Sequence, residues 1–407
     1  MSSSRTVIVA GAGIAGLTAA LALSRGGFRV VVLEQAPRLE ETGAGIQLSP
    51  NAARILIDLG LGDRLRPYAV APEAVRVMDA ASGREIVRIP LGDHAARRYG
   101  APYWIIHRGD LQAALAGAVA QKLDVTLKLG MRAENFAAHG NGVTVAASGT
   151  SGIWHERGMA MVAADGVWSN LRSQLSSENG PRFAGRVAWR AVVPVHAVAA
   201  EFRAPLVHLW LGRHSHLVHY PVKGGRVINL VFIAADRWSG HDGRDRGWSE
   251  PASRTDFLSQ LAAAQWTPQA LSLLRVPEAW LKWALFGREP LFALPHAPFA
   301  LIGDAAHAML PFLAQGAAMA IEDAAVLAQC LSGRPDDIAG AVHSYARLRR
   351  ARVRKVQRLA ARNGRIYHFA GLPAVLRNGG MRIAGGERLL HRYDWLYDWR
   401  SPESMIT

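Results

Sequence analysis

The chain has 407 residues, half of them hydrophobic, with a formal net charge of +15 and a single cysteine, Cys330. That much apolar material suffices for two domains and excludes a disordered or fibrous protein, while one thiol excludes an internal disulfide framework and favours a reduced, cytoplasmic setting. The charge is mainly arginine and is spread along the sequence, which argues against a dedicated nucleic-acid arm; a solvated basic surface is the plain reading, and small anionic substrates are the functional one, because a guanidinium grips a carboxylate through two parallel hydrogen bonds.

Residues 6–10 are apolar and β-prone, as a buried parallel strand should be. Gly11, Gly13 and Gly16 follow as G-x-G-x-x-G: one glycine for the tight turn, one for close approach of a diphosphate, one for packing helix on strand. A helix ending at Gly26 and Gly27 leads into a second strand at 28–33, and Glu34 closes it at the place of a ribose-binding acid. Strand, turn, helix and acid together predict an adenine dinucleotide, but do not separate NAD from FAD. The uncharged run 7–23 approaches the ~20 residues of a membrane span, yet its glycines suit a turn and no span is expected.

Residues 71–100 and 176–284 alternate in polarity and carry turn signals such as Lys223-Gly224-Gly225, predicting a mainly antiparallel sheet inserted into the nucleotide-binding part. Within it His216 and Tyr220 share a strand face with Val218. A histidine and a tyrosine aimed at one pocket suit orientation and deprotonation of a phenol; a half-buried sheet with incidental polar groups is the plainer reading. Arg190 is a candidate for a substrate carboxylate or for a structural ion pair. His208, His214, His216 and His219 lack the acids or thiols of a metal set, so no metal is expected.

Near the end, "FALIGDAAH" is a short strand closing on Asp304, placed to accept hydrogen bonds from the hydroxyl-rich chain that FAD carries and NAD lacks. Beyond Pro311, Gly316 and Ala317 open a helix whose bare amides suit the electron-rich edge of a reduced flavin; a close-packed core helix would use the same small residues. Residues 345–364 form a basic helix, packed by Leu348, Val353, Val356 and Leu359, solvated on its other face and ending at Gly364. "RYDWLYDWR" is an aromatic tail expected to dock on its own domain.

The segments "GAGIAG…LE", "GAGIQLSPNA", "HRGDLQ", "ADGVWSNLR", "VAWRAVVPV", "GDAAHAMLPFLAQGAAMAIEDA" and "RYDWLYDWR" resemble, in order, those of the FAD-dependent aromatic hydroxylases (group A flavoprotein monooxygenases), nearest the salicylate, 3-hydroxybenzoate and 6-hydroxynicotinate hydroxylase branch. The resemblance implies an α/β fold: a Rossmann-like FAD-binding domain (1–70, 101–175, 285–364), an inserted antiparallel substrate domain (71–100, 176–284) and a helical, aromatic C-terminal segment (365–407). It implies that Arg108 contacts the FAD chain, Asp165-Gly166 lies near the diphosphate, Pro311 lines the flavin and Gln47 borders flavin and substrate. Gly43 and Gly45 would ease a swing of the flavin. The implied partners are bound FAD, a visiting NADH or NADPH, O2 and a small aromatic substrate hydroxylated through a flavin hydroperoxide, in a monomer or homodimer. Epoxidation, N-oxidation or urate-type hydroxylation is the rival within the enzymes, and a basic NAD- or RNA-binding protein the rival outside them. Two departures stand out: Ala308 where the family often has proline, and "LPHAPF" before the last strand.

Overall fold

The computed structural model describes residues 5–39, 44–140, 142–150, 152–175, 180–238, 249–261 and 265–401. At its centre is a five-stranded parallel sheet in the order Phe299–Leu301, Ala160–Ala163, Thr6–Ala10, Arg29–Glu34, Val125–Leu129. The first strand is buried along its whole length, which is why its sequence is continuously apolar rather than alternating. Helices Ile14–Arg25 and Gly316–Gly333 pack on each other beside this sheet.

Residues 132–158 form an antiparallel three-stranded sheet, Arg132–His139, Gly142–Gly149 and Gly152–Gly158. Phe136 from it stacks on Phe299 of the central sheet at 4.3 Å between ring centroids.

The other large body is an eight-stranded sheet. Its order is Ser249–Ser253, Ala279–Gly287, Arg182–Pro194, Val227–Ala235, Ser215–Val222, Val207–Leu211, Ala74–Asp79, Glu85–Pro90. All neighbours are antiparallel except Val207–Leu211 and Ala74–Asp79. One face carries Trp189, Trp210, Leu217, Phe232 and Trp280, covered by helices Arg254–Leu261 and Pro268–Leu274. The opposite face looks toward the nucleotide-binding part.

The basic helix runs Ile338–Tyr367 and does not stop at Gly364. A Cβ on Gly364 would lie 2.6 Å from the Phe312 ring, so this glycine is a close-packing position inside the helix, not its cap. Nor is every arginine of the helix solvated: Arg349 is 1% exposed. The aromatic tail docks on the same chain, with Leu396 buried and Trp399 lying over both Arg349 and Arg352. Among the described residues no helix is long and apolar enough to cross a membrane.

Candidate functional site

A cavity of about 1050 Å³ runs along the ends of the parallel strands, lined by Gly11, Gly13, Glu34, Arg108, Asp165 and Asp304 among others. The glycines divide the work as their spacing predicts. A Cβ on Gly11 would meet the Ala164 carbonyl oxygen at 2.5 Å, and one on Gly16 the Gly11 oxygen at 1.9 Å, whereas Gly13 faces open space. Gly11 therefore forms the turn, Gly16 lets the helix pack against that turn and the first strand, and Gly13 leaves open space at the start of the helix, where a diphosphate would fit.

Glu34 lines this cavity and braces it: its carboxylate accepts from the backbone N–H of Ala12 at 2.6 Å and of Ala36 at 2.9 Å. Asp165 accepts from Leu171 N–H, while its other oxygen is buried with no partner among the described residues. Burial pushes that carboxyl above the usual range. Asp304 is exposed into the cavity. An open glycine cradle, an orphaned acceptor and a carboxylate beyond it fit an extended dinucleotide with a polyhydroxyl middle, which is FAD. Pro311, Gly316 and Ala317 lie at the head of helix Gly316–Gly333, half-buried and outside the cavity lining.

The head of that helix is held by buried polar residues that no local pattern announced. Gln315, its N-cap, donates to Ser49 Oγ at 2.9 Å, and Asn51 donates to Glu322 at 2.7 Å. Glu322 and Asp323 each take a 2.7 Å ion pair from Arg349. Asp323 also accepts from Gly303 N–H and meets His307 Nε2 at 2.5 Å. Burial alone would raise the Asp323 carboxyl, but His307 and Arg349 hold it below the usual carboxylate range. Arg172, the last residue of "ADGVWSNLR", donates to the carbonyls of Ala305 and Ala306 and so joins the Asp165 loop to the Asp304 turn.

The sheet face opposite carries the remaining candidates. Register places His216, Ile233, Ala188 and Trp283 in one row, Val218, Val231 and Arg190 in the next, and Tyr220, Asn229 and Val192 in the third. His216 and Tyr220 thus share a face, about 13 Å apart along the strand, at two ends of a floor whose middle, Val218 and Val231, is only half-covered. Arg190 enters from the side over the Trp283 ring, 4.4 Å from its centroid. It has no carboxylate partner among the described residues, and its Nε is buried without a hydrogen bond. Burial pulls its guanidinium down to about 10, still charged at neutral pH.

Tyr220 donates to the Gly45 carbonyl at 2.8 Å, and burial pushes its phenol up to about 12. Gly45 lies so close beneath this ring that a Cβ would sit 2.4 Å from it, so its glycine is explained by packing; Gly43 lies outside the described residues. Gln47, on the same short strand Gly45–Leu48, accepts from the Tyr103 hydroxyl at 2.6 Å. His216 is 2% exposed, flanked by Phe312 and Tyr367, with Nδ1 2.7 Å from His368 Nε2. Burial and then the Arg186 charge lower its pKa to about 3. His208 and His219 stack on the far side of the sheet, 4.3 Å between centroids, away from this floor. No group of three or more metal-ligating side chains occurs among the described residues.

The profile of the FAD binding domain family matches residues 4–360. The 3-hydroxybenzoate 6-hydroxylase of Polaromonas naphthalenivorans (strain CJ2) is 36% identical over 393 residues, 97% of this chain and 96% of that protein. The 6-hydroxynicotinate 3-monooxygenase of Bordetella bronchiseptica is 33% identical over 360 residues, covering 88% and 91%. A salicylate hydroxylase solved in complex with its substrate superposes with a TM-score of 0.80 at 25% identity, covering 98% of this chain and 97% of that one.

Proposed function

The chain belongs to the FAD binding domain family, among its flavin-dependent aromatic monooxygenases, and from that premise we propose that it hydroxylates a small aromatic ring bearing both a hydroxyl and a carboxylate, at the expense of NADH or NADPH and O2. The observation that carries the substrate class is Arg190: a half-buried, charged guanidinium with a buried, unbonded Nε and no acid of its own, stacked over Trp283 in the row of the half-covered Val218 and Val231. A charge partly withdrawn from water with no counter-ion gains from one that arrives, and a carboxylated ring supplies it. The three relatives above, named for 3-hydroxybenzoate, 6-hydroxynicotinate and salicylate, act on or bind rings of this kind.

Gly13, Arg108, Asp165 and Asp304 would hold the FAD along the cavity, with Glu34 at its adenosine end, and the amides at Gly316 and Ala317 would face the flavin's electron-rich edge. When bound, the flavin takes up reducing equivalents, activates O2 and delivers one oxygen atom to the ring. The protein's part is placement: Arg190 anchors the carboxylate, the valines and Phe312 exclude water, and His216 meets the hydroxyl oxygen. Tyr220, tied to Gly45, fixes the strand carrying Gln47 and closes the far end.

The test is direct. Purified protein should be yellow, and 3-hydroxybenzoate or 6-hydroxynicotinate should accelerate NAD(P)H oxidation and gain one hydroxyl, read by mass spectrometry. A colourless preparation, or nicotinamide oxidation indifferent to every carboxylated hydroxy-aromatic offered, would overturn the reading.

A further inference from the structure

His216 does not stand alone. Strand Arg182–Pro194 breaks register against its neighbour between Phe183 and Val187, and Gly185 there is left-handed at φ +68°. Such a bulge re-aims the next side chain, and Arg186 is sent to His368 Nδ1, with which it is hydrogen-bonded. His368 sits just past helix Ile338–Tyr367 and presents Nε2 to His216 Nδ1 at 2.7 Å.

The direction of this chain follows from its first member. A guanidinium only donates, so His368 Nδ1 accepts. Neutral His368 then carries its proton on Nε2 and donates it to His216 Nδ1. Neutral His216, accepting at Nδ1, holds its own proton on Nε2, the nitrogen left for a ligand. The base form would need a proton on Nδ1, opposed by the proton on His368 Nε2. The surrounding groups do not reverse the order. Arg186 comes from the bulged strand, Tyr367 from the long helix and His214 from the turn before the strand. Arg377 comes from helix Leu372–His391 and faces Asp79. No carboxylate bonds either histidine among the described residues, and burial together with the arginine charges keeps both rings neutral.

Resting on the reading that His216 meets the substrate's hydroxyl oxygen, we propose that Arg186 and His368 are positioning residues that fix His216 as a hydrogen-bond donor to an already ionised substrate, rather than as the base that ionises it. The phenolic proton is left to the solvent, His216 keeps its own, and binding selects the phenolate. Affinity then follows the substrate's ionisation and not that of an imidazole.

Two measurements on the FAD-loaded full chain test this. Nitrogen NMR of the histidine-labelled holoenzyme, with the His216 signals assigned by their loss in His216→Leu, should show the Nε2–H tautomer without any substrate. The Kd of 3-hydroxybenzoate, read from the flavin spectrum, should tighten about tenfold per pH unit from about pH 6 to 9, because a phenol ionises near 10. His368→Gln still donates to His216 and should keep that slope. His368→Glu accepts instead, moves the His216 proton to Nδ1, and should flatten the slope. An Nδ1–H tautomer in the native holoenzyme, a flat native slope, or equal slopes in the two variants would overturn the proposal. Unchanged affinity in His216→Leu would instead refute the placement of His216 at the substrate, leaving the tautomer result to judge the wiring by itself.

Discussion

Arg190 and Gly45 show how single residues report on what is bound near them. Arg190 is charged, half-buried and without an acid among the described residues, so a ligand carboxylate would complete it. A charge-assisted hydrogen bond is worth roughly 1.5–3 kcal/mol, so Arg190→Gln should weaken 3-hydroxybenzoate by roughly 10- to 150-fold. Phenol, which lacks the carboxylate, should lose little. Titrations of the flavin spectrum with both ligands decide it, and equal losses would make Arg190 a structural residue. Gly45 carries the reverse message, since the Tyr220 ring already occupies the space a methyl would need. Gly45→Ala should cost the ~1–3 kcal/mol of an overpacked site, and much less when introduced into Tyr220→Ala, where the ring is gone. Urea unfolding of the single and double variants measures this, and additive losses would contradict the contact.

At the scale of elements, the helix Gly316–Gly333 depends on a buried ionic knot rather than on its own sequence. Its N-cap Gln315 is tied to Ser49, Asn51 is tied to Glu322, Arg349 bridges Glu322 and Asp323, and Arg352 gives Glu322 a second ion pair. Removing Arg349 leaves Glu322 its pair with Arg352 but takes the arginine from buried Asp323, at about 3–5 kcal/mol. Arg349→Met should therefore lower the urea midpoint strongly and also weaken FAD retention, because the head of the helix loses its anchor. Stability loss with unchanged flavin affinity would confine the knot to folding. The sequence made only part of this visible. The glycine turn, Glu34 and the Asp304 strand end were legible because each is a local pattern with a fixed spacing. The knot was not: Arg349 sits in a run of arginines that reads as a solvated face, and nothing within one helix turn marks it as the one turned inward. Gly364 misled for the same reason, since a glycine near a helix end looks like a cap until Phe312 is seen against it. His368 lies 152 residues from His216, and only the folded chain brings the two rings together.

Taken whole, the molecule keeps an unusual amount of imidazole neutral and out of water. His208 is pulled to about 4 by burial and then by Arg76 and Arg88, His219 well below its ordinary value by burial and His208, and His216 to about 3. His368 is lowered too, by burial and then by His216 and Arg186. The unfolded chain would protonate all of these near pH 6.5. Below that pH the unfolded state binds more protons than the native one, so stability falls as pH falls and is complete above about 6.5. Asp323 acts in a separate window: its lowered pKa adds stability that is lost only under the more acid conditions that protonate carboxylates. Between roughly pH 6.5 and 4 the histidines dominate, each by up to about 1.4 kcal/mol per pH unit, and four of them by on the order of 5 kcal/mol per unit. Against a typical stability of ~5–15 kcal/mol, the native state should collapse near pH 5, read by tryptophan fluorescence. Because His208 and His219 stack away from the substrate floor, His208→Asn with His219→Phe should shift that midpoint downward by several tenths of a unit or more while leaving 3-hydroxybenzoate binding at neutral pH nearly unchanged. A native midpoint nearer pH 3, where carboxylates take up protons, would mean that the buried imidazoles do not set the acid limit of this fold.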